Sequence, residues 1–281
     1  PAPRPSPRSA LIVLSRRAFT FVFCPALALA AALEGYSRLT ASPLRQLSDN
    51  AAVRWLGGLR SPTSNSLAPL PRPAPGTKTM TVVFHGAGGP DSYTSELMSK
   101  VEEEASRNGG YCHFVDWSEY STNLFKAAFN GQAVGKHAAR SLRELLGEGE
   151  EPNVHLVGIS VGAFAADAAC SEYRSLWSST STSSTSSESK GYPRPTLQLT
   201  LLDPFTQRGV FGPGYGSRNF GKSADYAQQF MNTDDPVPST NEPCGGCAVW
   251  DVTGARERGE GGNGDIFGHD WPLVYFSRYW K

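Results

Sequence analysis

The run Asn153-Val154-His155-Leu156-Val157-Gly158-Ile159-Ser160-Val161-Gly162-Ala163-Phe164-Ala165-Ala166-Asp167 constrains this chain more than any other stretch. An apolar segment from Val154 to Val157 enters Gly-x-Ser-x-Gly, and small helix-forming residues follow at once. A strand that becomes a helix within a few residues has no room for side chains beside its apex, so glycines must flank the serine. The turn then holds the Ser160 hydroxyl clear of the sheet, facing the positive N-terminal end of the next helix. Ser160 is therefore the candidate nucleophile. Taken alone, the motif also describes a plain Gly-rich turn, and its surroundings must decide.

Those surroundings alternate between strand and helix. Met80 to Phe84, Tyr111 to Val115, Asn153 to Gly158 and Leu197 to Leu202 read as strands, with Tyr226 to Asn232 as a further one. Tyr93 to Arg107 has helical composition, and Asn123 to Leu146 carries Val134, Ala138, Leu142 and Leu145 on one face. Ala163 to Tyr173 and Trp271 to Trp280 complete the helices. Such alternation predicts an α/β fold with a mostly parallel central sheet and helices on both faces.

The 281 residues suffice for one large domain of this kind and not for two. Residues 1–33 lack any acid before Glu34 and place Arg16-Arg17 ahead of an apolar run from Ala18 to Leu33, as in a twin-arginine export or transit segment. Pro25 and the shortness of the run argue against a membrane span. Export to the periplasm, a plastid or the exterior is expected. Residues 34–76 read as a linker ending in prolines at 69, 71, 73 and 75, so the folded domain spans 77–281. A Ser/Thr-rich insertion at 175–192 has little to bury and is expected to be disordered. With 26 Lys and Arg against 26 Asp and Glu, there is no basic excess to suggest a nucleic-acid partner.

A serine hydroxyl needs a base to take its proton, and the base needs a third group to orient it. Of five histidines, His113 and His155 lie inside apolar strands, His85 opens a Gly-rich loop, and His137 sits on a helix. Only His269 lies in a loop beyond every candidate acid, as the order Ser, acid, His of α/β-hydrolases requires. Two acids compete for the third place. Asp203 ends the strand Thr200-Leu201-Leu202 before Pro204, and Asp235 stands in Asp234-Asp235-Pro236-Val237-Pro238 one strand later. Spacing does not choose between them. Backbone N–H groups for a developing oxyanion are expected at Val161, next after the nucleophile, and at Ala87 within His85-Gly86-Ala87-Gly88-Gly89. Cys244-Gly245-Gly246-Cys247 lacks the further ligands a zinc site needs, so a local disulfide is expected and no metal.

The stretch from about Thr79 to Tyr279 resembles the α/β-hydrolase lipases, most nearly the pancreatic-type group. The resemblance rests on the first strand with His85-Gly86, Phe114-Val115-Asp116-Trp117, the elbow from Asn153 to Ala166, Leu202-Asp203-Pro204, Ala224-Asp225-Tyr226, and His269 before an aromatic-rich end. Ile159 and Val161 replace the usual His and Leu around the serine, and no lid is evident. The resemblance implies an α/β-hydrolase fold and cleavage of carboxylic esters, chiefly of acyl lipids, through a Ser160 acyl-enzyme without a cofactor. It further implies transient contact with a lipid surface. In that group the acid follows the nucleophile helix by one strand, which corresponds to Asp203; the turn at Asp235 looks more like that of fungal-type lipases. An acyltransferase or peptidase on the same residues, or a non-catalytic binding protein of the same fold, are the rival readings.

Overall fold

The computed structural model describes residues 67, 70–122, 124–146, 152–183, 195–208, 212–255 and 268–279. Six strands, β1 (Thr79–Phe84), β2 (Tyr111–Val115), β3 (Asn153–Ile159), β4 (Leu197–Leu202), β5 (Tyr226–Met231) and β6 (Ala248–Asp251), form one sheet in the order β2-β1-β3-β4-β5-β6. Every pairing is parallel. Four longer helices accompany it: α1 (Ser92–Arg107), α2 (Leu124–Leu146), α3 (Ala163–Ser183) and α4 (Trp271–Tyr279). Parallel strands need crossovers, and the helices that supply them cover the sheet.

The two faces follow the alternation of the strands. Val82, Phe84, Leu156, Leu199 and Leu201 belong to the core shared with α2 and α3. Val83, Val157, Ile159 and Leu202 pack instead with Leu97 and Val101 of α1 and Leu273 and Phe276 of α4. Asp91 caps α1 by accepting the Thr94 N–H at 2.7 Å, worth about 1 kcal/mol. Burying Leu97 and Val101 contributes roughly 1.5–3 kcal/mol each, so the apolar face anchors this helix more than its cap does. Helices α2 and α3 meet at backbone distance: a Cβ at Gly135 would stand 2.0 Å from the Ala165 carbonyl oxygen.

Register brings the functional segments to one edge. Phe84 pairs with Gly158, so the loop after β1 leaves the sheet beside the Ser160 elbow. Ile159 pairs with Leu202, and Leu202 with Phe230, so the loops after β3, β4 and β5 emerge side by side. This is the C-terminal edge at which open α/β sheets build their sites.

Four details differ from the sequence expectation. Strand β6 extends the sheet beyond the last strand read from the sequence; it is a short exposed edge, tied in by stacking of Trp250 on Phe230 at 6.4 Å. Helix α3 continues ten residues past Tyr173 to Ser183, into the Ser/Thr tract; the Arg143 guanidinium lies 5.1 Å over the Trp177 ring and supports the extension. The end of the linker joins the core, since Leu70 is buried against it. The disulfide expected between Cys244 and Cys247 is absent, and both are thiols. A hydrogen bond to Cys247, together with burial, pushes the Cys244 thiol far above the usual range. The targeting segment 1–33, most of the linker and the remainder of the Ser/Thr insertion lie outside the described residues. No helix among the described residues is long and apolar enough to cross a membrane.

Candidate active site

Ser160 sits at the end of β3 with φ 51°, one of three non-glycine residues with positive φ among those described. A left-handed backbone costs a side-chain-bearing residue about 1–2 kcal/mol, so the surrounding packing has to impose it. The flanking glycines show how. A Cβ at Gly158 would stand 2.7 Å from the Ala163 Cα, and one at Gly162 would stand 2.4 Å from the Phe84 carbonyl oxygen. Both positions exclude any side chain, so the motif's spacing follows from contact and not only from turn conformation.

The loop after β1 is held by its own first histidine. His85 is fully buried; its Nδ1–H donates to the Gly86 carbonyl at 2.8 Å, and its Nε2 accepts the Trp117 N–H at 3.1 Å. The Trp117 indole N–H donates back to the His85 carbonyl at 3.1 Å. Burial lowers the His85 pKa, consistent with a neutral ring that donates at one nitrogen and accepts at the other. Gly86 can then lie against the nucleophile, where a Cβ would be 3.4 Å from Ser160 Cβ. The Gly88 N–H donates to the Ser121 carbonyl, fixing the far side of the loop.

On the opposite side, one histidine meets both candidate acids. His269 Nδ1 lies 2.9 Å from Asp203 Oδ2 and 2.8 Å from Asp235 Oδ2. Asp203 also has positive φ, 45°, and its Oδ1 accepts the Asn232 N–H at 3.1 Å. Asp235 Oδ1 accepts the Val237 N–H at 2.9 Å, and its Oδ2 accepts the Thr240 hydroxyl at 2.5 Å. Both carboxylate side chains are fully buried. Burial, and the Asp235 carboxyl beside it, push the Asp203 pKa above the usual carboxylate range. Burial pushes Asp235 the same way, but bonds from His269, Thr240 and Val237 more than offset it and hold Asp235 below that range. His269 is drawn down by burial and up by both carboxyl groups; the second effect wins, raising it to about 9.

Two residues that sequence reading passed over place this histidine. Asn232 donates its side-chain N–H to the Gly268 carbonyl at 2.7 Å while its backbone holds Asp203. Gly268 has φ +75°, and a Cβ there would stand 2.9 Å from Pro236 Cδ. The available signals were an Asn directly after a strand and a Gly directly before the candidate base.

Asp203, Asp235 and His269 also form the one group among the described residues whose donor atoms converge closely enough to suggest an ion, within 4.8 Å of one another. Donors about 2.1 Å from a tetrahedral ion stand roughly 3.4 Å apart, whereas Nδ1 lies 2.8 and 2.9 Å from the two oxygens. The contacts are those of hydrogen bonds. A protonated cluster fits them better than a metal does.

Ser160 and His269 open into one cavity of about 290 Å³, whose walls include Ala87, Ile159, Val237 and Leu273. No direct hydrogen bond joins the serine hydroxyl to the imidazole among the described residues; contacts of this kind commonly close only when substrate is in place. The structure thus brings together Ser160, Ala87 and His269 around the cavity, with Asp203 and Asp235 behind the histidine. Val161 follows Ser160 and is itself buried at the start of the helix. Cys244 and Cys247 lie elsewhere, after β5 and before β6.

An all-parallel sheet with an elbow after β3, a glycine loop after β1 and a histidine after the last strand has the architecture of the α/β-hydrolase fold. No family model matches the sequence, and no curated protein matches it. Among solved structures, the chain is similar to a protein from Xanthomonas campestris pv. campestris assigned to the alpha/beta hydrolase superfamily. That match has 15% identity and a TM-score of 0.38, and covers 72% of this chain and 94% of the other. It is also similar to a lipase-esterase related protein from Clostridium acetobutylicum, at 10% identity and TM-score 0.40 over 75% and 95% of the two chains. A third is MGS-M1, an alpha/beta hydrolase enzyme from a Medee basin deep-sea metagenome library, at 12% identity and TM-score 0.34 over 71% and 81%.

Proposed function

We propose that this protein is a serine hydrolase that cleaves carboxylic esters through an acyl-enzyme on Ser160. One observation carries the reading: Ser160, held at positive φ on a strand-to-helix elbow, opens into the same cavity as a histidine backed by carboxylates. In the proposed reaction the Ser160 oxygen bonds to the ester carbonyl carbon and its proton passes to His269 Nε2. The oxyanion so formed is met by the N–H groups of Ala87 and Val161. Collapse breaks the carbon–oxygen bond of the alcohol, which leaves with the proton from Nε2. Water then repeats the sequence with His269 as base, releasing the acid and restoring Ser160. Asp203 orients His269 by accepting from Nδ1–H.

The substrate side follows from the cavity. Its walls are largely apolar, which suits an acyl chain, and about 290 Å³ lies at the lower end of small-molecule pockets. Short acyl esters are therefore the preferred class, with acyl lipids of short chain as the natural extension. Butyrate and palmitate esters of one chromogenic alcohol distinguish this: kcat/KM for the butyrate is expected to exceed that for the palmitate by at least about tenfold. Equal or reversed values would remove the short-chain assignment. The parent reading is tested by fluorophosphonate labelling. Label is expected on Ser160 in the native protein and none on Ser160→Ala, and an unlabelled native protein would point to a non-catalytic binding role.

A further inference from the structure

The loops after β4 and β5 each deliver a buried carboxylate to the same imidazole nitrogen, although a hydroxyl–imidazole pair needs only one. We infer that Asp203 and Asp235 act together as one positioning unit, sharing a single proton between them and jointly accepting the His269 Nδ1–H. This rests on the proposed Ser160–His269 pair.

The geometry leaves little alternative. Each carboxyl group places its Oδ2 within 2.9 Å of the same His269 nitrogen, the donor atoms of the three residues lie within 4.8 Å of one another, and both carboxyl side chains are fully buried. Two carboxylates this close, away from water, cannot both carry charge readily, so one proton stays between them. Asp235 has the better anion site, with a backbone N–H and a hydroxyl donating to it in addition to the imidazole. Asp203 has one backbone N–H besides the imidazole, so the shared proton resides mainly on its side. The opposite shifts of the two acids agree with this. During acylation the serine proton moves to Nε2, the Nδ1–H stays between the two Oδ2 atoms, and the shared proton does not move. The unit then faces the new imidazolium with one negative charge.

The arrangement has two consequences. Either acid alone can orient the imidazole, because loss of one leaves the other free to ionise. The pair and a single ionised acid face His269 with the same one negative charge, so removing either leaves the imidazole's hold on its proton nearly unchanged. Since the base must be neutral to accept the serine proton, the ascending limb of kcat/KM against pH lies well to the alkaline side of an ordinary histidine. Asp270, in the same turn as His269, and Asp91, at the α1 N-terminus, also line the cavity, and Asp270 interacts electrostatically with His269.

The experiment compares Asp203→Asn, Asp235→Asn and the double variant in the full chain, assaying a soluble short-chain ester across pH 5 to 10 and recording thermal melts. Each single variant is expected to lose no more than about 30-fold in kcat, while the double variant loses about 10,000-fold, as an imidazole held in the wrong tautomer does. Each single variant is also expected to keep the ascending limb within about half a pH unit of native, since one negative charge faces His269 either way, while the double variant moves it acidward by at least about one unit. A 10,000-fold loss from one single variant with little effect from the other would overturn shared action and leave an ordinary single acid. So would single variants whose limb moves acidward by about one unit or more, the mark of two carboxylates ionised together. Should Asp235→Asn fail to fold, because Asp235 also ties down Val237 and Thr240, Asp203→Asn decides alone: a modest loss with an unmoved limb supports the pair, and a severe loss or an acidward limb rejects it. A double variant keeping more than about a tenth of native activity would instead remove His269 from the reaction, which is failure of the parent reading.

Discussion

Ser160→Ala is expected to lower ester turnover about 100,000-fold while leaving the fold intact. The change removes one hydroxyl from a position whose backbone shape is imposed by its neighbours, so little packing is lost. It removes the only atom that can form the acyl-enzyme. What activity remains would come from the oxyanion donors acting on attacking water. The same position offers an internal control on strain. Alanine keeps a Cβ at φ 51°, whereas glycine does not, at the cost of some extra freedom in the unfolded chain. Ser160→Gly should therefore be as inactive as Ser160→Ala yet melt roughly 2 °C higher, the equivalent of about 0.5–1 kcal/mol in a domain of this size. Retention of more than about a tenth of native activity by either variant would exclude Ser160 as nucleophile. Equal melting temperatures would mean that the elbow stores no strain.

The parts of this site that sequence reading reached are those whose chemistry forces a local pattern. The strand before Ser160 and the glycines beside it are required by contacts within one short segment, so they appear as consecutive residues. His269 emerged by elimination among five histidines and by its order in the chain. What escaped reading depends on residues brought together from distant loops. Nothing in Asn153–Asp167, or in either acid's neighbours, says that the loops after β4 and β5 would end at one nitrogen; the sheet register decides that. His85 escaped for a similar reason. Its partner Trp117 comes 32 positions later, on the loop after β2, and only the parallel pairing of β1 and β2 brings the two together. Strand β6 was missed because a four-residue exposed edge leaves no alternation to detect.

Gly162→Ala should damage both stability and catalysis, and the pairing of those losses tests how fold and site are joined. A methyl group at Gly162 would meet two backbone carbonyl oxygens, Phe84 O at 2.4 Å and His85 O at 2.6 Å. Neither can rotate aside as a side-chain end would, so the helix start and the loop after β1 must separate. Overpacking of this kind costs about 3 kcal/mol, which lowers the melting temperature by roughly 10 °C. Gly135→Ala provides the comparison, since its methyl group would stand 2.0 Å from the Ala165 carbonyl oxygen in the α2–α3 contact, a similar clash on the face away from α1 and α4. Both variants should melt early. When activity is normalised to the fraction that takes up a fluorophosphonate label, Gly135→Ala should keep most of its kcat. Gly162→Ala should lose at least about tenfold, because the displaced loop carries Gly86 and Ala87, and a misplacement of about 1 Å at a reacting centre costs on the order of 100-fold. If the folded fraction of Gly162→Ala turned over at the native rate, the loop after β1 would have no part in binding the oxyanion, and the donors would have to be sought on the elbow alone.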